Sequence, residues 1–177
     1  DNAIIYWRLY PNFIKQLFTA AFTDGMKNPN KRIVENQWKR AFLKLSDHIM
    51  HCAHCGAENF YEGEEHIGVK PICWCCNHTL ETPIVLELHK QYVVLEKDTV
   101  IYKHHLEQNF DLDTAIAKVT KHPSLDKWGL QNVTAKDWQG KKPNGEKLIV
   151  PSQKNAPLAA GLQLIFEEGQ IGIIKKG

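Results

Sequence analysis

The chain has 177 residues, of which 43% are hydrophobic and 24% are charged, and its formal net charge is +2. These values lie near the averages for globular proteins, so they exclude an intrinsically disordered chain. No apolar run approaches the roughly 18–20 residues that span a bilayer, which excludes a membrane-spanning helix.

Residues 1–50 are predicted to form two amphipathic helices, the first module of an α+β, multi-module chain. Pro11 suits the first turn of the first helix, and Gly25 suits its end because glycine adopts a left-handed cap conformation. The second helix has an apolar face that includes Trp38 and Leu45, with the spacing of three and four residues that a helix requires. Two such helices cannot bury both apolar faces against each other, so we expect a neighbour to cover them.

All five cysteines lie in the second module, residues 51–82. Cys52 and Cys55 form one CxxC pair, and Cys73 and Cys76 form another after an interval of 17 residues. Each CxxC pair directs two thiolates to one point, and two pairs complete the tetrahedron that Zn²⁺ accepts. We therefore predict a zinc ribbon with one structural zinc ion, because four thiolates leave no coordination position open for catalysis.

Other side chains near the predicted ligands leave alternatives open. Cys75 would replace Cys76 only by narrowing the second pair to CxC, so we interpret Cys75 as a thiol outside the ligand set. Four histidines could each substitute for a cysteine, although a solvated histidine is the simpler interpretation: His51, His54, His66 and His78.

The charge of the second module argues against nucleic acid as a partner. The module has one basic residue, Lys70, and five glutamates, and four thiolates with one Zn²⁺ would make it still more negative. Non-specific nucleic-acid binding depends on cationic contacts with phosphates. The helical module has eight basic and four acidic residues, so a basic face on its helices keeps this alternative open.

The third module, residues 83–177, is predicted to be an antiparallel β-sandwich, because short apolar runs alternate with Gly, Pro and Asn. Asn144-Gly145 is a strong hairpin-turn signal, and a tight turn is also expected at His89-Lys90. The segment Asp113–Lys121 fits either a strand or a short helix. The predicted strands are Ile84–His89, Gln91–Glu96, Val100–Tyr102, Trp128–Leu130, Lys147–Val150, Gln163–Phe166 and Gly172–Ile174.

The cysteines and the start of the sequence predict the compartment. A secreted disulfide framework spreads an even number of cysteines along the chain, whereas these five are clustered. The first five residues, Asp1–Ile5, have neither the basic nor the long apolar region of a signal peptide. We expect a cytoplasmic location and no membrane partner. Since no initiator Met is present, we also expect a longer parent protein.

The helical module resembles the end of a protein-kinase C-lobe. The resemblance runs from Leu17-Phe18 through the loop Asn28–Arg32 to the helix that contains Trp38. In that family the loop arginine pairs with a glutamate at the end of the activation segment, which would lie upstream of this chain. The resemblance therefore implies structural roles for Arg32 and Trp38.

The order of the three modules resembles a bacterial family of Ser/Thr protein-kinase-like proteins. The second module adds the signature Cys-Gly-Ala-Glu-Asn-Phe-Tyr, which begins at Cys55, and a Cys-Trp-x-Cys knuckle, which begins at Cys73. Members of this family occur beside a von Willebrand factor A protein and a metal-dependent phosphatase, in a phosphorylation triad linked to tellurite resistance. The resemblance implies that these two proteins are the partners.

Two stretches of the third module, Trp128–Asn132 and Pro157–Phe166, resemble strands of a forkhead-associated domain. A member of that family that binds phosphothreonine carries a Gly-Arg, a Ser-x-x-His and an Asn-Gly. Here Asn144-Gly145 is present and Lys103–His105 falls where a basic loop could lie, but the sequence has no Gly-Arg and no Ser-x-x-His.

The catalytic motifs of a kinase are absent from the sequence: there is no Gly-rich phosphate loop, strand lysine, His-Arg-Asp or Asp-Phe-Gly. We therefore predict a non-catalytic regulatory or scaffolding region that docks protein partners for signalling. One alternative is a phosphopeptide-binding adaptor that uses the third module, and another is a nucleic-acid-binding zinc ribbon protein.

Overall fold

The computed structural model describes residues 2–63, 71–107, 109–122 and 126–177. The chain divides into two compact units, Asp1–Glu81 and Thr82–Gly177. Helices predominate in the first unit and antiparallel sheets in the second, which confirms the predicted α+β composition. In the described part of the chain, no helix combines the length and the apolar character needed to cross a bilayer.

The first unit begins with helices connected by short turns. Pro11 immediately precedes the second helix, and the hydroxyls of Thr19 and Thr23 donate to carbonyl oxygens four residues earlier, where that helix ends. A 3₁₀ turn, Pro29–Lys31, is capped by the Asn28 side chain. The helices are α1 (Asn2–Trp7), α2 (Asn12–Phe22), α3 (Asp24–Lys27) and α4 (Glu35–Asp47).

The helices of the first unit leave much of their apolar surface uncovered. None of the residues of α4, all of which are described, is buried. Phe22 and Met26 are 67% and 70% exposed, and Phe42 is 49% exposed. Trp38 packs its ring against Phe18, with 4.9 Å between the ring centroids. The contact between α2 and α4 therefore covers only part of the two amphipathic faces.

A short hairpin follows α4 and was not predicted from the sequence. Strands β1 (Ile49–His51) and β2 (Glu58–Phe60) pair in an antiparallel register that places Met50 opposite Asn59. Met50 and Asn59 are both buried. The hairpin holds the segment that contains the first cysteine pair.

The second unit consists of two antiparallel sheets. The four-stranded sheet has the order β10-β7-β6-β5, and the six-stranded sheet has the order β4-β3-β12-β11-β8-β9. The strands are β3 (Ile84–Leu88), β4 (Gln91–Val94), β5 (Val100–Tyr102), β6 (Ala115–Lys121), β7 (Trp128–Asn132), β8 (Trp138–Lys141), β9 (Lys147–Val150), β10 (Asn155–Pro157), β11 (Gln163–Ile165) and β12 (Ile171–Lys176).

The two predicted turns connect neighbouring strands. His89 and Lys90 both have positive φ, 49° and 63°, and join β3 to β4. Gly145 has φ 88° in the turn between β8 and β9. Two positive φ angles in succession match the right-handed twist of paired strands, which is why such turns favour hairpins.

The structure determines the secondary structure of two segments of the second unit that the sequence left undecided or placed in a loop. The ambiguous stretch Asp113–Lys121 contains strand β6, which pairs with β5 on one side and β7 on the other. The residues Lys103–His105, expected in a loop, lie in a short helix α5 (Lys103–Glu107). The sheet contacts explain why β6 is a strand although its local sequence did not decide the matter.

The buried faces of the two sheets form one core. Leu86 and Trp138 come from the six-stranded sheet, and Ile101, Val119 and Leu130 come from the four-stranded sheet. All five side chains are at most 1% exposed. Burial of aliphatic and aromatic side chains of this size contributes about 1.5–3 kcal/mol each. This shared core joins the two sheets.

Asn132 is a fully buried polar residue in this core, at the end of β7. Its amide nitrogen donates to the carbonyl oxygens of Lys136 (2.8 Å) and Val150 (3.1 Å). Its amide oxygen accepts from the backbone N–H (2.9 Å) and the hydroxyl (2.7 Å) of Thr134. Asn132 therefore links β7, the following loop and β9 through four hydrogen bonds.

Substitution of Asn132 by alanine is predicted to destabilise the chain by about 2–3 kcal/mol, because buried partners lose their hydrogen bonds. Urea unfolding followed by circular dichroism measures this change as a lower midpoint at an unchanged slope. Gln131→Ala is the matched control, since the Gln131 side chain is partly exposed and makes a 3.4 Å contact with Gln153. Equal midpoints for the two variants would contradict the role assigned to Asn132.

Candidate metal centre

The four predicted ligands converge on one point in the first unit. The sulfur atoms of Cys52, Cys55, Cys73 and Cys76 all lie within 4.8 Å of one another. The Cys52–Cys76 and Cys55–Cys73 sulfur pairs are each 3.7 Å apart. A zinc ion with four Zn–S bonds of about 2.3 Å requires tetrahedral sulfur separations of about 3.8 Å. The cysteine geometry is therefore compatible with one zinc ion.

The two cysteine pairs lie in backbone turns of the same design. In the first, the Gly56 N–H donates to the Cys52 carbonyl (2.8 Å), and the Cys52 N–H donates to the Ala57 carbonyl (2.9 Å). In the second, the Asn77 N–H donates to the Cys73 carbonyl (2.9 Å), and the Cys73 N–H donates to the His78 carbonyl (2.8 Å). The repetition of both hydrogen bonds indicates two equivalent knuckles.

Each knuckle needs a left-handed residue directly after its second cysteine. Gly56 has φ 74° and Asn77 has φ 58°. Glycine adopts this conformation without steric cost, and asparagine tolerates it better than most residues. The sequences Cys55-Gly56 and Cys76-Asn77 therefore favour the knuckle conformation without help from the metal.

Asn59 connects the two knuckles. Its side-chain nitrogen donates to the Ala57 carbonyl (2.8 Å) and lies 3.7 Å from the Cys73 sulfur. Its side-chain oxygen accepts from the Trp74 backbone N–H at 3.4 Å. Sequence reasoning missed this role, although Asn59 stands in the signature that follows Cys55. Its burial within a polar segment is the feature that identifies it.

The electrostatics of the thiols favour a thiolate at Cys73. Burial works against ionisation of Cys73, but the backbone N–H groups of Cys76 and Cys75, the Asn59 side chain and Cys55 outweigh burial and lower the pKa of the Cys73 thiol to about 6. At Cys55 the Ala57 backbone acts to lower the pKa of the thiol. Desolvation of the sulfur and the neighbouring thiols outweigh this effect and raise the pKa to about 12. Zinc binding stabilises the thiolate at every ligand and releases the remaining protons.

The residues that left the ligand set ambiguous occupy different positions. Cys75 is exposed and does not belong to the group of four sulfurs. The rings of His54 and His78 stack in parallel, with centroids 4.3 Å apart, and their nitrogens lie within 4.8 Å of the Cys76 sulfur. His51 is exposed at the end of β1, and His66 lies outside the described residues. The histidine pair therefore flanks the centre at Cys76.

Structural roles were predicted for Arg32 and Trp38, which precede the cysteines in the chain and belong to the helical part of the first unit. Arg32 follows the 3₁₀ turn, is exposed, and lines an open cavity of about 520 Å³ with Phe22 and Met26. Trp38 lies between Phe18 and Phe42, with ring centroids 4.9 Å and 5.9 Å away. The pairing of Arg32 with an upstream glutamate stays a prediction.

The chain matches no family model, no curated protein and no solved structure. The resemblances to a kinase C-lobe and to a forkhead-associated domain therefore rest on the sequence motifs alone.

Loss of one zinc ligand is predicted to unfold the ribbon, because the binding energy of a structural zinc ion, about 10–16 kcal/mol in small zinc domains, is folding energy. Cys52→Ser and Cys73→Ser should each lose the stoichiometric zinc and the cooperative melting of residues 51–82. Cys75→Ser is the matched control and should retain both. Metal analysis and thermal unfolding of the full chain measure the outcome, and full zinc with unchanged melting in Cys52→Ser would contradict this ligand set.

The positive φ angles of Gly56 and Asn77 lead to a second prediction. Gly56→Ala adds a Cβ that meets no atom within 4 Å, so its cost is backbone strain of about 1–2 kcal/mol. Competition with a chelator should show a zinc affinity about tenfold lower, by the usual conversion of 1.4 kcal/mol.

Asn77→Gly is the matched variant for this prediction. It relieves strain at the equivalent position, so the zinc affinity should stay within about threefold of the parent chain. Equal losses in both variants would show that the φ angles at these two positions do not control the knuckles.

Proposed function

We propose that this chain is a non-catalytic regulatory or scaffolding region of a bacterial kinase-like protein, which docks protein partners in a phosphorylation triad. The observation that carries the proposal is the group of four cysteines, Cys52, Cys55, Cys73 and Cys76. Four thiolates would fill the coordination sphere of a zinc ion, so the metal has a structural role and no open position for substrate.

The exposed apolar residues of the helices support a docking role. Phe22, Met26 and Val34 are each more than half exposed, and Phe42 is 49% exposed. Exposed apolar residues of this size on one structural unit mark surfaces that contact other proteins or other domains. In the proposed parent protein these helices form the end of the kinase C-lobe, as the sequence resemblance implies, and their exposed apolar residues would contact the rest of that lobe.

The β-rich unit contributes a second surface in this proposal. Its two antiparallel sheets share a core, which supports the proposed forkhead-associated-like sandwich. The proposed partners are the von Willebrand A protein and the metal-dependent phosphatase of the triad, and the proposed location is the cytoplasm. The clustered thiols support this location because a reducing compartment keeps them available for metal.

Binding of the zinc-loaded chain to the von Willebrand A protein of the triad tests the proposal. Isothermal titration should give a micromolar or tighter Kd for the parent chain and for Cys75→Ser, because both keep the zinc centre. Cys52→Ser should not bind, because its ribbon lacks the metal that organises it. The proposal fails if the zinc-loaded chain binds neither this protein nor the phosphatase, or if Cys52→Ser binds as tightly as the parent chain.

A further inference from the structure

A cavity of about 260 Å³ opens on the first unit, beside the cysteine knuckles. Four of its eight lining residues are aromatic, and the others include one acidic residue, Glu58. The aromatic lining residues are Tyr6, Tyr10, Phe60 and Trp74. We name this cavity the aromatic pocket.

The aromatic rings of this pocket are arranged in two pairs. Tyr6 and Trp74 meet nearly at a right angle, with 85° between their planes and 5.5 Å between their centroids. Tyr10 and Phe60 are tilted by 32°, with centroids 5.6 Å apart. The perpendicular rings of Tyr6 and Trp74 form a corner of the pocket. Tyr6 and Trp74 are 41% and 39% exposed, so the corner is open to solvent.

The knuckles and their hairpin fix one side of the pocket. Trp74 lies between Cys73 and Cys76, and its indole N–H donates to the Glu58 carbonyl oxygen at 2.8 Å. Glu58 and Phe60 belong to β2, which follows the first knuckle directly. Since both knuckles converge on the metal centre, zinc binding would set the positions of Trp74, Glu58 and Phe60 together.

The charge in the pocket has one sign. Glu58 is exposed, and no described residue forms an ion pair with its carboxylate. No lysine, arginine or histidine is among the lining residues that the structure describes. Aromatic rings attract cations through the negative face of the ring, most strongly for tryptophan and tyrosine. Aromatic walls together with one carboxylate therefore match a cationic group.

We propose that the aromatic pocket binds an arginine side chain of a protein partner. A planar guanidinium stacks on aromatic rings and pairs with a carboxylate through two parallel hydrogen bonds, which a lysine ammonium cannot reproduce. The volume of about 260 Å³ suits one long side chain and not a larger ligand. Arginine is also enriched at the centres of protein interfaces. The inference rests on the proposed docking function and names the group that the first unit recognises.

Nuclear magnetic resonance of the zinc-loaded full chain tests this proposal. The chain has five tryptophans, so it gives five indole N–H resonances, and Trp74→Phe identifies the one from Trp74. The probes are three acetylated and amidated peptides that differ at one central position, which is arginine, citrulline or norleucine. The arginine peptide should shift the Trp74 resonance saturably, and citrulline and norleucine should bind at least about tenfold more weakly, as loss of a desolvated cation–π contact requires.

Glu58→Gln and Glu81→Gln form the matched pair of variants. Both remove one negative charge from the first unit, but only Glu58 lines the pocket. Glu58→Gln should lower the affinity of the arginine peptide about fivefold or more, as expected for loss of a charge-assisted hydrogen bond. Glu81→Gln should leave this affinity unchanged. Zinc content is measured in both variants, so that loss of binding is not confused with loss of the ribbon.

Three results would overturn the assignment. They are equal binding of norleucine and arginine, equal effects of the two glutamine variants, and no shift of Trp74 with any peptide. Failure of the docking proposal is a separate result. If the von Willebrand A protein binds the zinc-loaded chain but the arginine peptide does not shift the Trp74 resonance, the docking proposal holds and the arginine assignment of the pocket is wrong. If the arginine peptide binds in the pocket but neither triad protein binds the chain, the arginine assignment holds and the proposed partners are wrong.

Discussion

The convergence of four thiol sulfurs on one point is the constraint on which the first unit depends. Apart from cysteines, few of its described apolar side chains are buried; they are Ile14, Met50, Tyr61 and Leu80. A core this small does not offset the conformational entropy of ordering the chain, and domains of this kind use a metal as a staple. The second unit differs, because its two sheets enclose one continuous core.

The metal centre also links local structure to the proposed function. Asn59 lies between the knuckles, and the indole N–H of Trp74 donates to the Glu58 carbonyl oxygen in β2. The same residues that support the ligands therefore form a wall of the aromatic pocket. A rigid centre of this kind reduces the cost of binding, because its side chains are already ordered before a partner arrives.

The sequence predicted those features that depend on neighbouring residues. The CxxC spacing, the turn at His89-Lys90 and the Asn144-Gly145 hairpin are local, and the structure contains all of them. Features set by distant contacts were missed or undecided. Strand β8 was missed because Trp138 is buried through its contact with Phe166, and β6 was undecided because its pairing with β5 and β7 determines it. The aromatic pocket combines residues far apart in sequence, so no spacing indicates it.

X-ray absorption at the zinc edge of the purified full chain tests whether four cysteine thiolates bind one zinc ion in the first unit. We predict one zinc ion per chain, with four sulfur ligands at about 2.3 Å in tetrahedral geometry. A shell that contains imidazole nitrogen at about 2.0–2.1 Å would contradict the four-cysteine assignment, since it would place His54, His78 or another histidine among the ligands. Absence of stoichiometric zinc would contradict the account of the whole first unit.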